Sequence, residues 1–205
     1  MNKNDCIIRL EKETDHRKVE ELTREAFWNV YRPGCYEHYV VHQYRDREDF
    51  VPELDFVLEK DGEIIGHIMY VLAEIIKEDG VAVPIMIFGP LSISPVYQRK
   101  GYGGVLLEHS LTEARKMGVP AVALTGDMSF YGKHGFVIGK EVGICHADDP
   151  EADYFLIREL QVGFFESVKG TYRDPEGYFV SEEDVDAFDK GFPYKEKLKL
   201  PGQLF

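Results

Sequence analysis

The sequence predicts an α/β fold of the α+β kind, in which helices, an antiparallel meander, a long helix and further strands follow one another. Three observations predict it. Apolar residues recur at helical spacing near the start, the period changes to two from Leu54 onward, and Gly103 to Met117 is the best amphipathic helix in the chain.

In order, Cys6 to Leu10 reads as a short strand. Thr14 and Asp15 offer an N-cap, and Val19, Leu22, Ala26 and Phe27 lie on one face of a helix over residues 15–30. Arg32-Pro33-Gly34 breaks it, and a second helix carries Tyr36, Tyr39, Val40 and Gln43. Residues 55–59 and 64–70 then flank Asp61-Gly62, a hairpin signal because both central positions of the favoured turn need positive φ. A third antiparallel strand is expected from Ile85 to Ile93. Gly89-Pro90 interrupts it, since proline cannot donate to a ladder and glycine in a strand marks a bulge. In the Gly103–Met117 helix, Val105, Leu106, His109, Ala114 and Met117 lie near one another, Leu111 widens the apolar stripe, and Gly118 and Pro120 end it. Ala121 to Leu124 is a buried strand, Gly126 to Gly135 a turn with a short helix, and Tyr154 to Leu160 a late strand.

The 205 residues fit one domain with an appendage, and 44% hydrophobic residues supply a sizeable core. Residues 1–165 form the expected domain. Residues 166–205, polar and punctuated by Pro and Gly with interleaved aromatics, read as a C-terminal extension packed on it. A net charge of -13 argues against nucleic-acid binding and against adhesion to an anionic membrane, and is compatible with a cationic partner. Cys6, Cys35 and Cys145 show no metal-ligand spacing, and the start has no apolar leader. We therefore expect free thiols, no metal and a cytoplasmic protein.

The chemistry concentrates in Gln98-Arg99-Lys100-Gly101-Tyr102-Gly103-Gly104, which lies between a strand and a helix. A helix N-terminus leaves backbone N–H groups unpaired and carries partial positive charge. Glycines there let the backbone approach a pyrophosphate, and Arg99 and Lys100 add charge at the rim. A Rossmann turn would need GxGxxG early in a parallel βαβ unit, which this segment does not provide.

The run Gly89-Pro90-Leu91-Ser92-Ile93-Ser94-Pro95, followed by Gln98, Gly101 and Gly103, resembles the acyl-CoA-binding motif of the GNAT superfamily of N-acetyltransferases, Q/R-x-x-G-x-G/A. Downstream, Gly126-Asp127 and Tyr131 to Phe136 resemble a motif of the YhbS-like branch of that superfamily. The resemblance implies a GNAT-like mixed central sheet, with the antiparallel meander followed by a parallel, splayed strand pair, flanked by helices. It implies acetyl-CoA as co-substrate. Backbone groups of Leu91 and Ile93, on either side of Ser92, would pair with the pantetheine amides, and Gln98, Arg99, Lys100, Gly101, Tyr102, Gly103 and Gly104 would hold the pyrophosphate. Tyr131 matches the tyrosine that in many members sits near the thioester sulfur and protonates the departing thiolate. The acceptor would be a primary amine of a small molecule, peptide or protein, and a homodimer is left open.

The general base has no evident residue, since residues 81–107 contain no Asp or Glu. Glu74 or a water chain is open, and His67 reads as a structural strand histidine. Tyr36-Glu37-His38-Tyr39 reads equally as acceptor-pocket lining and as a solvated helix face. Asp127 reads as a helix cap, and the 148–153 carboxylates as a solvated loop. The missing base keeps a second reading in view, a non-catalytic acyl-CoA-binding sensor or interaction module with the same fold.

Overall fold

A computed structural model describes residues 6–203. The strands are β1 (Cys6–Leu10), β2 (Phe56–Lys60), β3 (Glu63–Ile76), β4 (Ala82–Ile93), β5 (Ala121–Thr125), β6 (Val137–Ile138), β7 (Ile144–His146), β8 (Phe155–Glu159) and β9 (Gly170–Tyr172). The helices are α1 (His16–Phe27), α2 (Glu37–Tyr44), α3 (Tyr102–Lys116), α4 (Met128–Tyr131), α5 (Phe164–Ser167) and α6 (Glu182–Asp189). The strands pair in the order β1-β2-β3-β4-β5-β8-β6, and β9 pairs with β3 and β7. This is the mixed sheet with flanking helices that the resemblance implies.

The chain forms two compact units. The first comprises Met1–Met69, Pro90–Leu106 and Glu176–Phe205; the second comprises Tyr70–Gly89 and Leu107–Pro175.

In the first unit, β1 pairs antiparallel with β2 from Cys6↔Lys60 to Leu10↔Phe56. The β2–β3 hairpin turns at Asp61 (φ 52°) and Gly62 (φ 80°), the positive-φ pair that Asp-Gly favours. Gly66 on β3 is a packing glycine. A Cβ there would lie 2.7 Å from Ile93 Cδ1 and 3.2 Å from Leu58 Cβ, so its absence lets β3 and Ile93 close up. Residues 176–203 lie on α1 and α2. The Ser181 hydroxyl caps α6, Arg24 donates two hydrogen bonds to Asp189 (2.6 and 3.1 Å), and Phe188 and Phe192 pack on His38 (centroids 5.3 and 5.2 Å). Asn29, at φ 59°, holds the tail: its side chain donates to Glu196 O and accepts from Leu198 N.

In the second unit, β4 and β5 pair in parallel at Met86↔Val122 and Ile87↔Ala123, while β5 and β8 pair antiparallel over five residues. Ala121 to Leu124 are buried on both faces, as their unbroken apolar run requires. Helix α3 buries Leu106, Leu111 and Ala114 of the expected stripe, and shifts it toward Leu107 and Ser110, while Met117 is 47% exposed. Ser110 is tolerated there because its hydroxyl bonds both Leu107 O and the Tyr70 hydroxyl, each at 2.8 Å.

Gly66→Ala is expected to destabilise the protein by about 1–3 kcal/mol, because a methyl group overpacks the β3–Ile93 contact. Urea unfolding checks it; the midpoint falls while the slope stays constant.

Candidate active site

The first unit assembles the end of β4, a turn and the start of α3 from one continuous stretch. At the strand end, Leu91 is half-buried, whereas Ser92 and Ile93 are buried. The Ser92 hydroxyl donates to Thr23 Oγ1 of α1 at 3.0 Å, so its side chain serves packing. Ser94 N donates to Ile65 O, and residues 95–97 form a single 3-10 turn. Gln98 then reaches back, and its amide donates to Ile93 O at 3.0 Å. This bond ties the turn to the strand and explains a glutamine at that position.

The backbone next passes through two left-handed residues, Arg99 (φ 57°) and Gly101 (φ 86°), before α3 begins at Tyr102. Positive φ at a non-glycine residue is uncommon and marks a constrained turn. Tyr102 is buried with its ring against Tyr97 (centroids 5.8 Å), which anchors the helix start, while Gly103 and Gly104 are only half-buried. N–H groups of the first helical turn have no partner within a helix. The arrangement can receive an anion at the N-terminus of a 15-residue helix. Lys100 is less available than the sequence suggests, because its ammonium donates to Val96 O at 2.7 Å.

Tyr131 belongs to the second unit, at the end of α4. Asp127 caps that helix as expected, accepting from Ser129 N at 2.8 Å and from the Ser129 hydroxyl at 2.6 Å. The Tyr131 ring is half-buried among Phe130, Phe136 and Phe88 (centroids 4.8, 5.8 and 5.8 Å). Gly126 makes room for it. A Cβ on Gly126 would lie 2.6 Å from Tyr131 Cε2 and 2.6 Å from Leu124 Cδ1. Tyr70, whose ring meets Phe88 at 5.4 Å, has its hydroxyl pushed above the usual tyrosine range by burial.

The remaining ionisable candidates sort by environment. Glu74 is exposed and lines an open recess of about 320 Å³ with Leu72, Ala73, Ala82, Pro84 and Ile85. His38, read within the Tyr36–Tyr39 cluster as either solvated or pocket-lining, is fully buried against Phe188 and Phe192, and burial depresses it to about 4. His146 packs on Phe155 and Tyr172 and faces Asp174 at 3.3 Å, which leaves Cys145-His146 a structural pair. In the 148–153 loop, Asp148 pairs with Arg173, Asp149 accepts from Tyr154, and Asp153 pairs with Lys140.

Pattern reading missed one cluster. His67 is fully buried with Nε2 at 2.7 Å from Asp55, and Glu11 lies with them, the three ligand atoms within 4.8 Å of one another. Register explains it. β1 and β2 pair Leu10 with Phe56, and Glu11 N donates to Asp55 O, which sets the two acids side by side. Three such groups could hold a cation, but Arg45 already donates to both oxygens of Glu11 (3.1 and 2.7 Å) and to Glu20 (2.8 Å). The guanidinium thus supplies Glu11 with a positive partner. Burial, and after it the hydrogen bond with Asp55, raise Glu11 to about 7, and Asp55 is itself raised by burial. Burial lowers His67 to about 4. No sequence motif flags this cluster, since its members lie in three separate segments.

A model of the acetyltransferase (GNAT) family matches residues 23–136, and the chain belongs to that family. The uncharacterized N-acetyltransferase YjhQ of Escherichia coli K12 is 34% identical over 86 residues, which are 42% of this chain and 46% of YjhQ. The chain thus matches less than half the length of that relative. Among solved structures, the GNAT family N-acetyltransferase YhbS of Escherichia coli, crystallised with CoA, has a TM-score of 0.74 at 22% identity and covers 85% of this chain and 92% of its own. A GNAT family acetyltransferase of Brucella melitensis, crystallised with acetyl-CoA, has a TM-score of 0.67 at 24% identity, covering 85% and 98%. The fold expected from the resemblance is therefore the fold found. No helix among the described residues is long and apolar enough to cross a membrane.

Two predictions follow from these environments. Gly126→Ala is expected to displace the Tyr131 ring, visible in a crystal structure of the variant, and to lower stability by about 1–3 kcal/mol in urea unfolding.

The second concerns pH. Unfolded His67 takes up a proton near 6.5 but folded His67 only near 4, so its contribution falls as pH drops from 6.5 to 4. Glu11 acts oppositely. It keeps its proton to about 7 when folded and loses it near 4.5 when unfolded, so its contribution is full below 4.5 and is lost as pH rises to about 7. The two offset each other between 4.5 and 6.5. Glu11→Gln removes one of them, so stability of the variant rises from pH 5 to pH 6.5 by about 2 kcal/mol more than that of the wild type. Urea unfolding at the two pH values measures this difference, and His38 cancels from it because it is common to both proteins.

Proposed function

We propose that this chain is an acetyl-CoA-dependent N-acetyltransferase acting on a primary amine of a small molecule, peptide or protein by direct attack in a ternary complex. The observation that carries the reading is the constrained turn from Gln98 to Gly104 at the start of α3, in a chain of the GNAT family. Residues 1–165 would form the acyltransferase domain and 166–205 its C-terminal extension. Its setting would be cytoplasmic, in keeping with three free cysteines.

In this reading, backbone groups of Leu91 and Ile93 pair with the pantetheine amides. Gln98 keeps the turn in place, and the N–H groups from Gly101 to Gly104 receive the pyrophosphate, with Arg99 at the rim. Holding the thioester and the amine together supplies much of the rate. The neutral amine adds to the thioester carbonyl, a C–N bond forms and the C–S bond breaks. The amine's surplus proton leaves through water. The Tyr131 phenol gives its proton to the thiolate and regains one from water. The products are the N-acetylated amine and the CoA thiol.

One observation favours a second reading. Residues 81–107 carry no acid, and His67 is sealed in the first unit's core against Asp55, so no base is apparent along the strand end. A non-catalytic acyl-CoA-binding module would share the turn and lack turnover.

Calorimetry with acetyl-CoA, followed by CoA-thiol release across a panel of primary amines, separates these readings. Binding with turnover supports the enzyme, binding alone supports the module, and absence of binding overturns both. Gly103→Glu is expected to weaken acetyl-CoA binding at least tenfold, by setting a like charge at the anion site. Tyr131→Phe is expected to lower kcat roughly a hundredfold; unchanged turnover would remove the acid role.

A further inference from the structure

We propose that Arg158, Glu108 and His134 form a clamp that positions Tyr131 for proton delivery, so that Arg158 is a positioning residue of the transfer reaction. The inference rests on the reading of Tyr131 as the acid and adds what holds it in place.

All the residues involved lie in the second unit. Tyr131 ends a four-residue helix, too short to hold itself. The chain then turns through residues 132–134, takes a left-handed conformation at Gly135 (φ 75°), and enters β6, which is two residues long. Tyr131 N donates to Asp127 O and Gly132 N to Met128 O, and β6 pairs with β8, but across the turn between them the backbone bonds are Gly135 N to Gly132 O and Phe136 N to Tyr131 O, the latter at 3.3 Å.

Side chains from two longer elements add a further restraint on the turn. Arg158 on β8 donates to His134 O at 2.6 Å, capturing a carbonyl at the end of the turn. Its guanidinium also faces Glu108 of α3, at 3.4 Å. Glu108 in turn meets His134 Nδ1 at 2.7 Å. The His134 ring packs on Phe130 (centroids 5.1 Å), and Phe130 packs on Tyr131 (4.8 Å). Glycine suits position 135, where φ is 75° and a Cβ would lie 3.3 Å from Arg158 Nε and press on that side chain. The turn that follows Tyr131 is thus tied by one carbonyl and one ring to a strand and a helix that are themselves fixed in the unit.

Exposed ion pairs contribute little to stability, and the side chains of Glu108 and Arg158 are 47% and 21% exposed. Their removal should therefore leave the fold in place while loosening the turn. A proton donor displaced by about an ångström loses rate steeply, so the effect falls on the chemical step.

The test is a double-mutant cycle on acetyl transfer, using whichever amine of the panel turns over fastest. Arg158→Ala is expected to lower kcat at least tenfold, with KM for acetyl-CoA changed less than twofold. Arg158→Lys restores much of the loss, because an ammonium can still reach the His134 carbonyl. In a Tyr131→Phe background, Arg158→Ala has little further effect. An equal loss in both backgrounds overturns the proposal, and so does full activity of Arg158→Ala beside an impaired Tyr131→Phe, which leaves the acid reading standing. Full activity of Tyr131→Phe removes the acid reading itself, as does a wild type that turns over no amine. Should Arg158→Ala fail to fold, Glu108→Ala takes its place, with a kcat loss that likewise vanishes in the Tyr131→Phe background.

Discussion

Strand β4 ends inside the first unit, and its last backbone groups must still find partners. Buried peptide N–H and C=O groups are costly when unpaired. The chain meets this constraint locally. Ser94 N bonds Ile65 O, and Gln98 folds back to bond Ile93 O. Those two bonds set where the turn begins, and the left-handed residues Arg99 and Gly101 set how it enters α3. The geometry of the candidate anion site is thus a consequence of how one strand is terminated. The strand's other demands agree with it: Ser92 is satisfied by Thr23, and Gly66 lets Ile93 sit close to β3.

Buried charge is handled by pairing rather than by exposure. Arg45 gathers Glu11 and Glu20 from two segments, and Asp55 and His67 complete the group. Arg24 holds Asp189 and so brings the C-terminal helix onto α1. Breaking a buried pair by removing one partner strands the other charge, so such pairs specify arrangement even where they add little net stability. In a chain of net charge -13, each buried arginine also offsets repulsion among carboxylates.

Much of the fold was legible because long elements advertise their period. The Asp61-Gly62 hairpin, the Gly103–Met117 helix and the apolar run at Ala121 lie where the patterns place them. The elements that escaped notice, β7, β9, α5 and α6, are three to eight residues long and leave too little pattern to read. Of the inward face of α3, Leu106, Leu111 and Ala114 were legible, but Ser110 was not, because a serine reads as polar until its partners are known; it is buried by virtue of Tyr70. His38 reads as either solvated or functional for the same reason, since the aromatic rings that enclose it come from residues 188 and 192.

The sequence by itself determined the family, the glycine-rich turn and its place between a strand and a helix. These are local: a few consecutive residues with restricted φ and ψ carry them wherever the rest of the chain goes. Tertiary structure decided which charges are buried and what holds each candidate side chain. Glu11, Arg45, Asp55 and His67 become one cluster only when β1, β2 and β3 pair in register, and Arg158 reaches His134 only when β8 lies beside β6. Desolvation and long-range hydrogen bonds depend on neighbours distant in the chain, and no local pattern encodes them. That is why the turn could be read from its residues, while the restraint on Tyr131 and the protonation of the buried acids could not.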